Sequence, residues 1–576
     1  MDALTGLRIR IEEIIGGGFM NPIGYEMGAH VRNNVTEFLR ELVEMDPDRV
    51  LLSWLPSNAS SHSHLDARTL WTLVRKTAAG FESLGIKKGD RVLVFLPMIP
   101  PLYVTMFALE YLGAIPVFLD GWARRDELGV SAEIAEPKGI VTFPQAFALI
   151  QEIPQLASLS IRVAFGGDVP QTVRLETLMQ TVAERGTEPV EQEDTALITF
   201  TTGSSGRPKG ADRTHRFLVA QHYALNRHLP YGVSDADLPV FPIFSLNNLA
   251  SGVRTVLPCI NLSQPSPQDA DLLLKQFQSE NVTCATLSPW LFSEMGKLCA
   301  AKNIQIPQLR RLVTGGAPVS RDDMALMQKA APQAEIYVLY GSTEVEPIAH
   351  ISVKELLALP SRANEDEEWV ENGVNVGVID AGLQSHFLKI TEIPTQLASD
   401  KDWAPLEVRR GEVGELVVMG EHVCRHYFRD PEAFQRAKIV DAKGRIWHRT
   451  GDLGFVDKRG HLWLVGRVHN AILHQKGYLF PVRAEMVLRK LSFVAHAAFL
   501  GMPTAQKGIQ EAWCVLECRS NAPDATTCRE AVTRVMNKNG IPFDKIVFVD
   551  EIPMDARHHS KVEYATLRHQ LLEKSV

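Results

Sequence analysis

No stretch of this 576-residue chain offers the roughly 20 uninterrupted apolar positions that a membrane-spanning helix needs. The longest apolar run, Val92 to Leu119, holds Pro97, Pro100, Pro101, Glu110 and Gly113, which excludes a single span. Met1 to Arg10 carries Asp2, Arg8 and Arg10 and lacks the apolar segment of a secretory signal. There is no Lys/Arg-rich run, and a net charge of −8 provides no basic field for nucleic acid. Seven cysteines show no C-x-x-C spacing, Cys514 and Cys518 being four apart. A reduced, cytoplasmic setting with buried thiols is expected, and a zinc site is not. No internal repeat and no G-x-S-x-G nucleophile motif occur.

What is present is ordinary globular material, 45% hydrophobic and 22% charged. At about 100–200 residues per domain, the length calls for several units. Val92 to Leu119 reads as strand, helix (about Leu102–Leu112) and strand (Ile115–Leu119), after a helix at Arg68–Leu84. That βαβ unit implies a parallel sheet covered by helices. Similar alternation runs through Gly139–Thr142, Ala146–Glu152 and Ile161–Phe165. It resumes through Val282–Leu287, a helix near Trp290–Lys302, Leu312–Thr314, a helix near Arg321–Ala331 and Ile336–Leu339. The expected class is α/β, with two large doubly wound sheets. Between about Glu355 and Glu412 the pattern fades into polar, acidic sequence, read as a solvated excursion. Gly414 to Val465 reads as a small β-rich subdomain, and beyond Gly466 the pattern resets into a compact α+β tail.

The segment Thr199-Phe200-Thr201-Thr202-Gly203-Ser204-Ser205-Gly206-Arg207-Pro208-Lys209-Gly210 follows the strand-like Ala196-Leu197-Ile198. Three glycines allow backbone N–H groups to turn inward, and five hydroxyls and one lysine add donors, a set suited to a polyphosphate. It is not a nucleotide P-loop, because no hydroxyl follows the lysine. A flexible linker is the plain alternative. Four further segments have equally plain alternatives. Gly315-Gly316-Ala317-Pro318 could be a strand-to-helix turn, and Tyr340-Gly341-Ser342-Thr343-Glu344 a helix cap at Ser342. Arg449-Thr450-Gly451-Asp452 could be a turn, and Lys561 an exposed surface lysine.

Taken together and in this order, these motifs resemble the adenylate-forming superfamily of acyl-CoA synthetases, peptide-synthetase adenylation domains and luciferases. The resemblance runs from about residue 35 to 570. It implies an ATP- and Mg²⁺-dependent enzyme that activates a small carboxylic acid as acyl-AMP and releases pyrophosphate. It also implies an N-terminal domain over 1–466 and a mobile lid over 467–576. By the same resemblance Thr201, Thr202, Gly203, Ser204, Ser205, Gly206 and Lys209 grip the triphosphate. Gly315, Gly316, Ala317 and Pro318 lie against adenine, the Tyr340 ring covers it, and Gly341 and Ser342 belong to the same nucleotide site. Thr343 contacts the α-phosphate and Glu344 ligates Mg²⁺, which demands oxygen ligands. Asp452 holds the ribose hydroxyls, Arg467 follows Gly466 at the hinge, and Asn470 stands where many members carry an Asp. Lys561 matches the catalytic lysine, although Ser560 replaces the usual Gly and the spacing from Pro553 is longer.

Three departures separate this chain from the CoA ligases. Pro242-Ile243-Phe244-Ser245 lacks the gating His, placing Phe244 and Ser245 at the substrate pocket. The loop Gly477-Tyr478-Leu479-Phe480-Pro481 is one residue shorter than the thioester-forming kind, and Asp555-Ala556-Arg557-His558 precedes Lys561. All three look like the β-lactone synthetases of bacterial olefin pathways, which adenylate a 3-hydroxy fatty acid and let its own hydroxyl displace AMP. Transfer to CoA or an acyl carrier protein stays open, as does a homodimer. A retired nucleotide binder would have lost the charged set, yet Glu344, Asp452, Arg467 and Lys561 are all present.

Overall fold

The fold was read from a computed structural model that describes residues 32–56, 61–119, 125–182, 186–202, 207–359, 373–506, 508–555 and 561–573. Two large sheets dominate it, one of fourteen strands and one of eight. In the eight-stranded sheet, Arg91–Phe95 lies between Ile115–Phe118 and Gly139–Thr142, all parallel. The helix Pro100–Tyr111 makes the crossover between the first two and is buried on every side, as its apolar run requires. Its neighbour Ala67–Ser83 is capped by Asp66, whose carboxylate accepts from Thr69 N–H at 2.7 Å. That helix buries Leu70, Val74, Ala78 and Phe81, one helical face.

The fourteen-stranded sheet has a parallel centre, Ala236–Pro239, Cys284–Leu287, Arg311–Gly315 and Glu335–Ser342 in adjacent order. It then turns antiparallel through Val345–Ser352 and Val374–Ile379. The β-rich strands Leu462–Arg467, Ile446–Val456, Gly414–Met419 and Gln384–Leu388 continue the same sheet. The β-rich part is therefore an extension of the parallel sheet. The solvated excursion expected over 355–412 is corrected here, because Val374–Ile379 is the strand that joins the two parts. Its sequence Val-Asn-Val-Gly-Val-Ile alternates over only six residues, too short a run to stand out within the surrounding polar window. The acidic segment 364–368 lies outside the described residues.

Beyond Arg467 the chain makes its own three-stranded sheet, Val494–Pro503, Gln510–Cys518 and Lys545–Val549. Helices Pro481–Leu488 and Ala525–Lys538 pack on one face around Phe499, Cys514 and Val532. Helix Tyr564–Glu573 covers the other through Leu567 and Leu571. All seven cysteines are free thiols. No helix among the described residues is long and apolar enough to cross a membrane.

Candidate functional site

The candidate residues converge because strand ends converge. Thr195–Thr202 and Pro208–Thr214 form a hairpin in which Thr201 pairs with Lys209. The segment expected to be one loop is therefore mostly strand, and its tip, with Gly203, Ser204, Ser205 and Gly206, lies outside the described residues. The edge strand His426–Tyr427 pairs on the returning arm and carries Tyr427 to Lys209, whose ammonium stands 5.5 Å from the ring centroid. Burial lowers the Lys209 pKa, and the nearby Glu344 carboxylate opposes that shift.

Gly315 ends the strand Arg311–Gly315 beside Leu339. A Cβ there would lie 2.2 Å from the Leu339 carbonyl oxygen, so only glycine lets the two backbones approach. Gly316 has φ +86°, a turn conformation natural to glycine, and Ala317 and Pro318 lead on to the helix Arg321–Ala330. Opposite, Tyr340, Gly341 and Ser342 end the strand Glu335–Ser342, and Thr343 and Glu344 make the turn into Val345–Ser352. The Thr343 carbonyl accepts from Arg213 at 2.7 Å, which anchors that turn. Ser342 Oγ is buried without a hydrogen-bond partner among the described residues, a polar atom left for something else to satisfy.

Asp452 lies on the strand Ile446–Val456, directly across from Arg467. Its Oδ2 accepts from the Tyr340 hydroxyl at 2.7 Å, and its Oδ1 accepts from Arg467 Nε at 2.7 Å. Burial and then the Asp452 charge push the Tyr340 hydroxyl pKa well above its ordinary value. The same carboxylate raises the guanidinium of Arg467. Glu344 accepts from the Tyr427 hydroxyl at 2.8 Å. Burial alone would push this carboxyl up, but His448, the Tyr427 hydroxyl and Lys438 reverse the effect and bring it to about 2. The carboxylate is therefore ionised at neutral pH.

Sequence reasoning missed the layer beneath Glu344. Lys438 is fully buried and donates to the Cys424 carbonyl and, at 3.2 Å, to His448 Nδ1. Its ammonium stands 5.2 Å from the centroid of the Tyr427 ring, so two lysines flank one aromatic ring. His448 is pushed down to about 3 by burial and by Lys438, and is neutral at physiological pH. His448 directly precedes Arg449-Thr450-Gly451-Asp452, the one available signal; nothing in the sequence marks Lys438 or Tyr427.

The remaining candidates lie apart. Phe244 is buried on the helix Pro242–Ser251 in an apolar cluster with Leu225, Leu229, Val313 and Leu339. Ser245, its neighbour, lies outside that cluster, buried beside the Tyr103 hydroxyl without a well-formed hydrogen bond between them. Lys561 is exposed; its N–H donates to Asp555 Oδ1 at 2.8 Å and its carbonyl accepts from Asp555 N–H at 2.8 Å. Among the described residues no group of three or more His, Cys, Asp or Glu side chains could hold a metal alone. A single ionised carboxylate suits a Mg²⁺ ion that takes its other oxygens from phosphates and water.

A family model described as "AMP-binding enzyme" matches residues 39–428, well over half of the chain. The chain belongs to this family. Membership makes it an enzyme of the adenylate-forming superfamily. Among curated relatives, the AMP-binding chain is 29% identical to an olefin β-lactone synthetase of Stenotrophomonas maltophilia, covering 92% of this chain and 96% of that protein. It is 25% identical to 4-coumarate–CoA ligase 1 of Petroselinum crispum, over 84% and 85% of the two chains. Its fold matches O-succinylbenzoate CoA synthetase of Bacillus subtilis, solved with ATP and magnesium ion, at a TM-score of 0.71 and 18% identity. That match covers 93% of this chain and 99% of the other.

Proposed function

We propose that this enzyme activates a 3-hydroxy fatty acid with ATP and Mg²⁺, releases pyrophosphate, and closes the acyl adenylate to a β-lactone. The observation that carries the first half is the convergence of Tyr340, Asp452 and Arg467 on one side with Lys209, Tyr427 and Glu344 on the other, all drawn from separate segments. Asp452 would accept the ribose hydroxyls, and Tyr340 with Gly315, Gly316, Ala317, Pro318 and Gly341 would flank adenine. Thr201, Thr202, Lys209, Ser342 and Thr343 would meet the phosphates. Glu344 would hold Mg²⁺, which supplies charge against the phosphate oxygens when bound.

A carboxylate is a poor electrophile, so the substrate oxygen attacks the α-phosphorus and pyrophosphate leaves in line. This chain contributes position and positive charge, from Lys209 and from Lys561 on a lid over 467–576. In the second half, the 3-hydroxyl oxygen attacks the acyl carbon, the bond from that carbon to the AMP oxygen breaks, and the hydroxyl proton departs. Support for ring closure is the relative of nearly equal length named for that reaction and the absence of the gating His at Ser245.

The test supplies ATP, Mg²⁺ and a long-chain 3-hydroxy acid without CoA. Pyrophosphate, AMP and a product lighter than the acid by one water are expected. Acyl adenylate that accumulates until CoA is added, followed by acyl-CoA, would replace the lactone reading with that of a CoA ligase.

A further inference from the structure

Glu344, the carboxylate assigned to Mg²⁺, sits in the short turn between Ser342 and Val345, which pair across the strands. The backbone of that turn is held twice. The Thr343 carbonyl accepts from Arg213 at 2.7 Å, and the Glu344 carbonyl accepts from the Cys424 N–H at 2.7 Å. The side chain is held once. Among the described residues, Tyr427 is the one side chain that donates to it, from its hydroxyl to Oε1 at 2.8 Å. That bond leaves Oε2 of a half-buried residue to face a cation.

Tyr427 is itself fixed. It is 5% exposed and packs with Ala433 and Ala437 of the helix Pro431–Ala437. Its backbone lies in register with Ala211 on the strand Pro208–Thr214, and the next N–H, that of Phe428, donates to the Gly210 carbonyl at 2.8 Å. The ammonium groups of Lys209 and Lys438 stand 5.5 and 5.2 Å from the centroid of its ring. Tyr427 is therefore pinned to the hairpin that carries Lys209 while its hydroxyl reaches Glu344. Because that hydroxyl already donates to the carboxylate, the tyrosine acts through Glu344.

We infer that Tyr427 is a positioning residue whose hydroxyl fixes Glu344 beside the Lys209 hairpin, so that the enzyme binds ATP more tightly with Mg²⁺ than without it. This rests on the acid-activating reading above. A glutamate left to wander must be ordered when the metal arrives, which costs rotamer freedom, and one held beforehand avoids that loss. Removing the partner that orients a metal-binding carboxylate lowers metal affinity about 10–100-fold.

The experiment titrates ATP calorimetrically in the absence of acid, once with saturating Mg²⁺ and once with a chelator. The wild-type enzyme is expected to bind ATP about tenfold or more tightly with Mg²⁺. Tyr427→Phe keeps the ring and its packing. It is expected to shrink that ratio by about tenfold or more, while the Kd measured with chelator stays within about twofold, a split that a merely structural role would not produce. Glu344→Gln should shrink the ratio to a similar extent, and the double variant should lose little more, because one substitution has already removed what the other orients. A wild-type ratio near one, an unchanged ratio in Tyr427→Phe or in Glu344→Gln, or equal weakening with and without Mg²⁺ would overturn this inference alone. A Tyr427→Phe protein that does not fold would make the hydroxyl part of the framework and overturn it as well. No binding of ATP under either condition would overturn the acid-activating reading and this inference with it.

Discussion

Replacing Asp452 by Asn tests whether its carboxylate is a nucleotide contact or only a strut between two strands. The side chain is 15% exposed and that of Arg467 47% exposed, so the ion pair is half-screened and contributes about 0.5–1 kcal/mol to folding. Asn can still accept from Arg467 through its oxygen and donate to the Tyr340 oxygen, so the local geometry survives and the expected stability loss is about 1 kcal/mol. The nucleotide is affected more. Two ribose hydroxyls facing a neutral amide lose a charge-assisted contact worth about 1.5–3 kcal/mol, which corresponds to roughly a tenfold to hundredfold weaker Kd for ATP. Calorimetric titration with ATP in the absence of acid reads that Kd, and thermal denaturation reads the stability. Tyr340→Phe, alone and combined with Asp452→Asn, completes a cycle whose coupling should exceed about 0.5 kcal/mol, because the two side chains share a 2.7 Å hydrogen bond. An ATP affinity within twofold of the parent would refute the assignment, and a lowered Tm beside it would leave Asp452 only a strut between two strands.

Lys561→Ala should cut pyrophosphate release about a hundredfold to a thousandfold while ATP binding stays near that of the parent, as expected for a charge used in the transition state; single-turnover assays with a separate binding titration check it. Gly315→Ala sets a methyl against the Leu339 carbonyl and should cost at least about 2 kcal/mol, measured as a lower urea midpoint and a lower yield of folded protein. Stability should also fall with acid. Burial holds His215 and His222 near pKa 4 against an ordinary 6.5, so the unfolded chain takes up protons below pH 6.5 while the fold does not until about pH 4. Stability is therefore lost as pH falls through that window, and His222→Gln should flatten the change in urea midpoint between pH 7 and pH 5.

Much of this protein was written locally. The helices Ala67–Ser83, Pro100–Tyr111 and Pro289–Lys302 and the strands Gly139–Thr142 and Arg311–Gly315 lie within a few residues of where their periodicity placed them. Helix and parallel-strand signals are short-range, carried by caps, prolines and the spacing of apolar residues. The candidate motifs were legible for a similar reason, since glycines, hydroxyls and charges must sit at fixed spacing to turn a strand end toward a ligand.

What tertiary structure decided is everything that depends on residues far apart in sequence. Only the fold brings Tyr427 onto Glu344, across 83 positions, and Tyr340 onto Asp452, across 112. Only the fold places a fully buried Lys438 under that carboxylate, where its ammonium is tolerable because a carbonyl and a neutral imidazole accept from it. The strand Val374–Ile379 became visible only as the link between two parts of one sheet. The fold also brings together residues 228, 350 and 380, none of which sits in a motif. Periodicity records what a residue does with its near neighbours; partners and burial arise when distant segments meet, and these set both the pKa values and the geometry of the site.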